Sequence, residues 1–316
     1  MSHRPPPFPS LAALRTDGKR ALARALALIE TARGTEALAA LLDTAAADPK
    51  AHVAGLTGPP GVGKSTLTNA LIRDWRGKNE TVGVIAVDPS SRATGGALLG
   101  DRARLSTDPE DKGVYVRSMA ARDRLGGLSD DTVAAVALMR AIFDRVLVES
   151  VGIGQSEADI SFAADTVVLC VQPGSGDSLQ FMKAGVMELP DIVVVTKADM
   201  GEVAKRARSE VEGALTLFNR DDEWVPPVVL VAAPTGAGLG DLHAAIDAHR
   251  AHLGDKRLAA RRRTQEDTWV AESVRARFGT EGVAATKRLR IDAAGPFGRE
   301  RAIAARLAAA LARADA

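Results

Sequence analysis

A single cysteine in 316 residues excludes any disulfide framework within the chain. Cys170 lies inside the apolar run Val167-Val168-Leu169-Cys170-Val171, where it reads as a small buried hydrophobe in a reducing compartment. Aromatic residues make up only 3% of a chain that is 46% hydrophobic, so its core must be built from Val, Leu, Ile and Ala. The same scarcity removes the stacking platforms of a single-strand nucleic-acid binder. A formal net charge of +1 supplies no global field for nucleic acid or an anionic membrane. No apolar stretch approaches the about 20 residues of a bilayer-crossing helix. The Pro-rich start, Met1 to Ser10, lacks the apolar segment of a secretory signal. A cytoplasmic protein is expected, with no nucleic-acid or membrane partner. The five histidines, His3, His52, His243, His249 and His252, are scattered and offer little for metal ligation. His249 and His252, three apart, read as a solvated helix face, and the cluster Arg261-Arg262-Arg263 as a solvated helix face in preference to an anion- or partner-binding one.

What is present is organised around Gly58-Pro59-Pro60-Gly61-Val62-Gly63-Lys64-Ser65. This stretch follows the apolar run Val53-Ala54-Gly55-Leu56 and opens a helical pattern through Leu67, Ala70, Leu71 and Trp75. Its spacing, G-x-x-x-x-G-K-[ST], is that of a phosphate-binding loop. The glycines let consecutive backbone N–H groups turn inward while the following helix aims its positive end at a phosphate. Gly58, Gly61, Val62, Gly63 and Thr66 would line the nucleotide, Lys64 would sit on the β- and γ-phosphates, and the Ser65 hydroxyl would hold Mg²⁺.

Two helical patterns, Asp17 to Thr31 and Glu36 to Ala47, precede that loop. From His52 onward short β-branched runs alternate with helical ones. The strands drawn from them are His52–Thr57, Thr81–Asp88, Val114–Val116, Arg145–Glu149, Thr166–Gln172, Ile192–Thr196 and Val228–Val231. Several are apolar on successive residues, which argues for strands covered on both faces and hence a parallel sheet. The expected fold is α/β, a doubly wound, mostly parallel sheet with helical extensions at both ends, its ligands lying at the carboxyl ends of the strands. The expected division is a helical extension over 1–50, a nucleotide domain over 51–254 and a helical arm over 255–316. In that arm Val270, Val274 and Phe278, then Ile303, Leu307 and Leu311, recur at helical spacing and need a surface, either the domain's own flank or a second copy.

The remaining motifs fall at strand ends. Asp88, with Asp101 beyond a glycine-containing run, is placed to hold Mg²⁺ directly or through water. Glu149 closes the fourth strand where P-loop NTPases carry an acidic residue. Gly152 follows with an N–H that can reach a γ-phosphate, and Gln155 is a candidate for orienting the attacking water. Lys64, Glu149 and Gln155 are thus the catalytic candidates, and Ser65, Asp88, Asp101 and Glu149 the metal set. Base selection is assigned to Thr196-Lys197-Ala198-Asp199, because an Asp there accepts two hydrogen bonds from guanine that adenine cannot offer. GTP should be preferred over ATP by about tenfold to a hundredfold. Thr196 lacks the amide that usually braces the phosphate loop from this position. Ala232-Ala233-Pro234, after the last strand, would add backbone contacts to the base edge, although Ala232 lacks the hydroxyl usual there.

Together the segment Asp17-Gly18-Lys19-Arg20, the phosphate loop, Asp88-Pro89-Ser90-Ser91 with Gly95-Gly96 and Leu99-Gly100-Asp101, Glu149 to Glu157, and Pro173-Gly174-Ser175-Gly176-Asp177 with Gln180 resemble the MeaB/ArgK/MMAA family of SIMIBI-class G proteins. The resemblance runs from about Thr16 to Gly254. It implies a homodimeric GTPase that uses GTP/GDP and Mg²⁺ and escorts an adenosylcobalamin-dependent acyl-CoA mutase. It also implies that the loop Gln172 to Gln180 relays nucleotide state to that partner. Competing readings are a small-molecule kinase linked to amino-acid transport, a nickel metallochaperone GTPase, and a non-hydrolysing scaffold.

Overall fold

The computed structural model describes residues 8–88, 105, 107–120, 128–150, 160–174, 190–216 and 224–314. Three helices precede the first strand: α1 (Leu11–Thr16), α2 (Gly18–Thr31) and α3 (Glu36–Ala47). The side chains of Ser10 and Thr35 accept from the N–H groups of Ala13 and Leu38, capping α1 and α3. Along α2, Leu22, Ala25, Leu26 and Ile29 share one face, and that face is buried. The chain then alternates through β1 (His52–Thr57), α4 (Lys64–Gly77), β2 (Val82–Asp88), β3 (Val114–Ala120), α5 (Asp130–Ile142), β4 (Arg145–Glu149), β5 (Thr166–Val171), β6 (Ile192–Val195), α6 (Glu202–Leu215) and β7 (Val228–Leu230). It closes with α7 (Leu239–Thr286), whose backbone leaves helical geometry at Gly254 and Gly279, and α8 (Pro296–Ala314).

Among the described residues seven strands form one sheet, all parallel, in the order β3-β2-β4-β1-β5-β6-β7. The doubly wound sheet expected from the sequence is the fold. β1 is central, so the loop leaving its carboxyl end opens at the switch point where the strand order reverses. β3 runs four residues past the predicted Val114–Val116, through Arg117 and Ser118. It is an edge strand, and the Arg117 guanidinium is drawn in by Glu30 of α2 at 2.9 Å.

Alternate residues of the strands feed three cores. Val53, Ile85, Val87, Val146, Val148 and Val167 meet α3, α5, the later part of α7 and α8. Ala54, Leu56, Val84, Ala86, Leu147, Val168 and Cys170 meet α4 and the start of α7 at Leu242 and Ile246. Leu169, Val171, Val193 and Val195 form the third against α6. Val270, Val274, Ile303 and Leu307 are buried in the first of these cores, so much of the C-terminal apolar stripe is covered by the chain's own flank, while Leu311 stays exposed.

The foot of the sheet corrects two expectations. Arg262 is not part of a solvated face. Its guanidinium grips the fully buried Asp165 at 2.8 and 2.6 Å and donates to the carbonyl of Ala51 at 3.0 Å. Arg261 holds Asp191 at 2.9 and 3.2 Å, and only Arg263 faces water. Nor is the His249/His252 pair solvated. Both rings pack on Trp224, and His249 Nδ1 lies 2.7 Å from the Thr166 hydroxyl, which also meets His52 Nε2 at 2.6 Å. Among the described residues no group of three or more His, Cys, Asp or Glu side chains could hold a metal ion, and no helix is long and apolar enough to cross a membrane.

This cluster makes stability depend on pH. The His52 pKa is lowered from 6.5 to about 4, chiefly by burial, against the opposing pull of Asp165 and with Arg262, His249 and Arg250 adding to the fall. Between those values the unfolded chain binds the proton and the folded chain does not, so stability should fall as pH drops from 6.5 toward 4. The full loss is about 3 kcal/mol. Urea midpoints at pH 7.5 and 5.0 test this: the wild type should lose stability over that interval and His52→Gln should lose much less.

Candidate functional site

The phosphate loop joins the centre of the sheet to α4. Gly58 has φ 134°, and a Cβ there would stand 2.3 Å from the carbonyl oxygen of Cys170, so backbone packs where any side chain would clash. Gly63, with φ 104°, is the N-cap of α4. That left-handed turn leaves the first N–H groups of a 14-residue helix facing the mouth of the loop. Lys64 begins the helix, and its buried ammonium folds back to donate to the carbonyls of Gly58 (2.7 Å) and Pro59 (3.0 Å). Gly61 and Thr66 are exposed at the rim and Val62 is buried beneath it.

Glu149 ends β4 directly beside β1, in register with Leu56. Its carboxylate is 2% exposed and accepts from the Ser65 hydroxyl at 2.7 Å and the Thr68 hydroxyl at 3.0 Å. A hydroxyl and a buried carboxylate at a helix N-terminus are hard oxygen donors of the kind Mg²⁺ takes, so these residues fit the cation that the fold implies. Burial lifts the Cys170 thiol pKa to about 12, with Glu149 adding to the effect and Lys64 opposing it. Asp88 closes β2, but its side chain, with Asp101, Gly152, Gln155 and most of the Gln172 to Gln180 loop, falls outside the described residues.

On the other side of β1, Thr196 revises the sequence reading. The missing amide does not leave the loop unbraced: the buried Thr196 hydroxyl lies 2.7 Å from the carbonyl of Val62 and 3.0 Å from that of Val171, tying β6 to the phosphate loop and to β5. Lys197 adopts a left-handed backbone (φ 54°) and reaches Gln172 Oε1 at 2.6 Å. Asp199 sits exposed on the short turn Ala198–Met200, so the burial that base selection calls on must come from the base itself. The Ala198 N–H bonds the Val231 carbonyl at 3.2 Å, which sets this turn against the loop Ala232-Ala233-Pro234. Ala232 anchors that loop with its backbone, donating to Ala237 O at 2.9 Å and accepting from Thr235 N and Gly236 N.

Sequence reasoning missed Thr68, the Lys197 to Gln172 link and the anchoring role of Arg261 and Arg262. Thr68 had one available signal, its spacing of three from Ser65 on a helix. A separate cavity of about 310 Å³ lies between α3, α5, α7 and α8, away from the phosphate loop. Across it Arg33 binds Asp130 at 2.9 Å, the Trp269 indole N–H donates to Asp130 at 3.0 Å and Arg277 binds Glu300 at 2.9 Å, which stitches the helices together.

The family described as methylmalonyl Co-A mutase-associated GTPase MeaB matches residues 22–287. The chain belongs to the MeaB family. A relative from Pyrococcus horikoshii that carries the name GTPase is 44% identical over 257 residues, 80% of each chain. The mitochondrial methylmalonic aciduria type A homolog of Mus musculus is 37% identical over 221 residues, 68% of this chain and 53% of the mouse protein. Among solved structures, that of an LAO/AO transport system kinase superposes with a TM-score of 0.67 at 26% identity, covering 88% of this chain and 90% of the other. With the parallel sheet and phosphate loop in place, this MeaB-family chain is a P-loop GTPase.

Proposed function

We propose that this GTPase gates an adenosylcobalamin-dependent acyl-CoA mutase, controlling delivery of the cofactor and protecting the enzyme according to which nucleotide is bound. The observation that carries this reading is the family match, whose description couples a GTPase to methylmalonyl-CoA mutase. The mouse relative's name points the same way. The geometry supports the GTPase half: Lys64, Ser65 and Glu149 converge at the carboxyl end of the central strands.

In this reading Lys64 leaves the loop carbonyls for the β- and γ-phosphates, while the amides of Gly61 to Thr66 hold their oxygens. Ser65 and Glu149, with Asp88 and Asp101, would hold Mg²⁺, which would supply charge neutralisation for the triphosphate. Gly152 meets the γ-phosphate and Gln155 orients the attacking water. Asp199 takes guanine, with Lys197 and the backbone of Ala232, Ala233 and Pro234 around the base. The protein acts as a cytoplasmic homodimer, and the difference in γ-phosphate contacts between GTP and GDP biases the partner.

Turnover is expected to be slow alone and at least about tenfold faster with the mutase, which orders Gln155 or supplies charge in trans. Equal GTP hydrolysis rates with and without the mutase would overturn partner gating. The likeness to the solved LAO/AO transport system kinase favours a second reading, phosphoryl transfer to an acceptor. Labelled GTP separates the two, since label should appear only as free phosphate and never on an amino acid or protein.

A further inference from the structure

Thr68 stands one turn after Ser65 on α4, so both hydroxyls project from the same helix face toward the end of β4. They divide one carboxylate between them: Ser65 takes Glu149 Oε1 at 2.7 Å and Thr68 takes Oε2 at 3.0 Å. The two hydroxyls differ in surroundings. Ser65 is part-exposed at the loop mouth, whereas Thr68 is wholly buried. A carboxylate held at one oxygen can still swing about its last bond, but one held at both has its plane fixed. A charge this deeply buried also depends on the donors that reach it. Valine at 68 would match the shape of threonine and remove only the donor.

We infer that Thr68 is a positioning residue whose hydroxyl fixes the Glu149 carboxylate so that Glu149 and Ser65 present their oxygens to the cation together. The inference rests on the reading that places Glu149 at the nucleotide's Mg²⁺. Thr68 touches neither nucleotide nor cation and acts through Glu149.

The test is the Mg²⁺ dependence of release of a fluorescent GDP analogue from the full chain, compared in wild type, Thr68→Val, Thr68→Ser and Glu149→Gln. Losing one charge-assisted hydrogen bond should raise the Mg²⁺ concentration for half-maximal retention about tenfold in Thr68→Val. Thr68→Ser should stay within about twofold of wild type, because it keeps the donor. With EDTA present, release should be equally fast in wild type and both Thr68 variants, a result that a merely loosened fold would not give. If Glu149→Gln shifts the Mg²⁺ dependence and Thr68→Val does not, the positioning role is overturned and the metal site stands. If neither variant shifts it, the placement of Glu149 at the cation fails and this inference fails with it.

Discussion

Replacing Arg262 with methionine should lower the free energy of unfolding by about 3–5 kcal/mol, because it strips the guanidinium from a carboxylate that has no access to water. Asp165 would keep the Val53 N–H at 2.9 Å and the His52 ring at 3.7 Å, but it would lose its bidentate partner. Burial works against the charged form of Asp165, and Arg262 is the chief group that holds its pKa below the ordinary carboxylate value. Arg262 also disfavours protonation of His52. Its removal should therefore raise the His52 pKa and flatten the acid-side loss of stability. Urea unfolding at pH 7.5 checks the size of the effect. A double substitution, Arg262→Met with Asp165→Asn, should recover much of the loss, since it removes the stranded charge. If the double variant instead loses the sum of the two single losses, the pair is not coupled and the assignment fails.

Lys64→Ala should weaken GTP and GDP binding at least about a hundredfold without unfolding the protein. The ammonium would meet two phosphate groups, and each charge-assisted hydrogen bond contributes about 1.5–3 kcal/mol. The binding cost compounds while the folding cost should be smaller, because the lysine's hydrogen bonds run to carbonyls of the phosphate loop, a buried one at Gly58 and a part-buried one at Pro59. Calorimetry with Mg²⁺ present measures the affinity, and an unchanged urea midpoint confirms that the fold survives. ATP titrated into the wild type is the companion measurement and should bind about tenfold to a hundredfold more weakly than GTP. Equal affinity for the two nucleotides would remove the role given to Asp199. Wild-type affinity in the alanine variant would remove the role given to the phosphate loop.

The sheet was legible because its strands are covered on both faces. Ile192-Val193-Val194-Val195 and Val167-Val168-Leu169-Cys170-Val171 are apolar on every residue, which periodicity and turn signals can find. β3 runs past its sequence prediction because Arg117 and Ser118 look like the end of a strand, whereas α2 brings Glu30 against Arg117. The phosphate loop was legible because its chemistry needs residue types at fixed spacing. Thr196, Thr68, Arg261 and Arg262 were not, for a common reason. Each acts through a partner distant in sequence, Val62, Glu149, Asp191 and Asp165, and hydrogen-bond partners are set by the packed fold rather than by local pattern. A run of three arginines carries the same letters whether it faces water or latches a helix to the foot of a sheet.

The placement of Cys170 has one more consequence. Thiolate, not thiol, attacks an alkylating reagent, and the only sulfhydryl in the sequence is buried in the core beneath α4 with its ionisation pushed far above neutral pH. Labelling it therefore requires the centre of the domain to open. The chain carries its own chemical clock for that opening, readable by mass without any engineered probe.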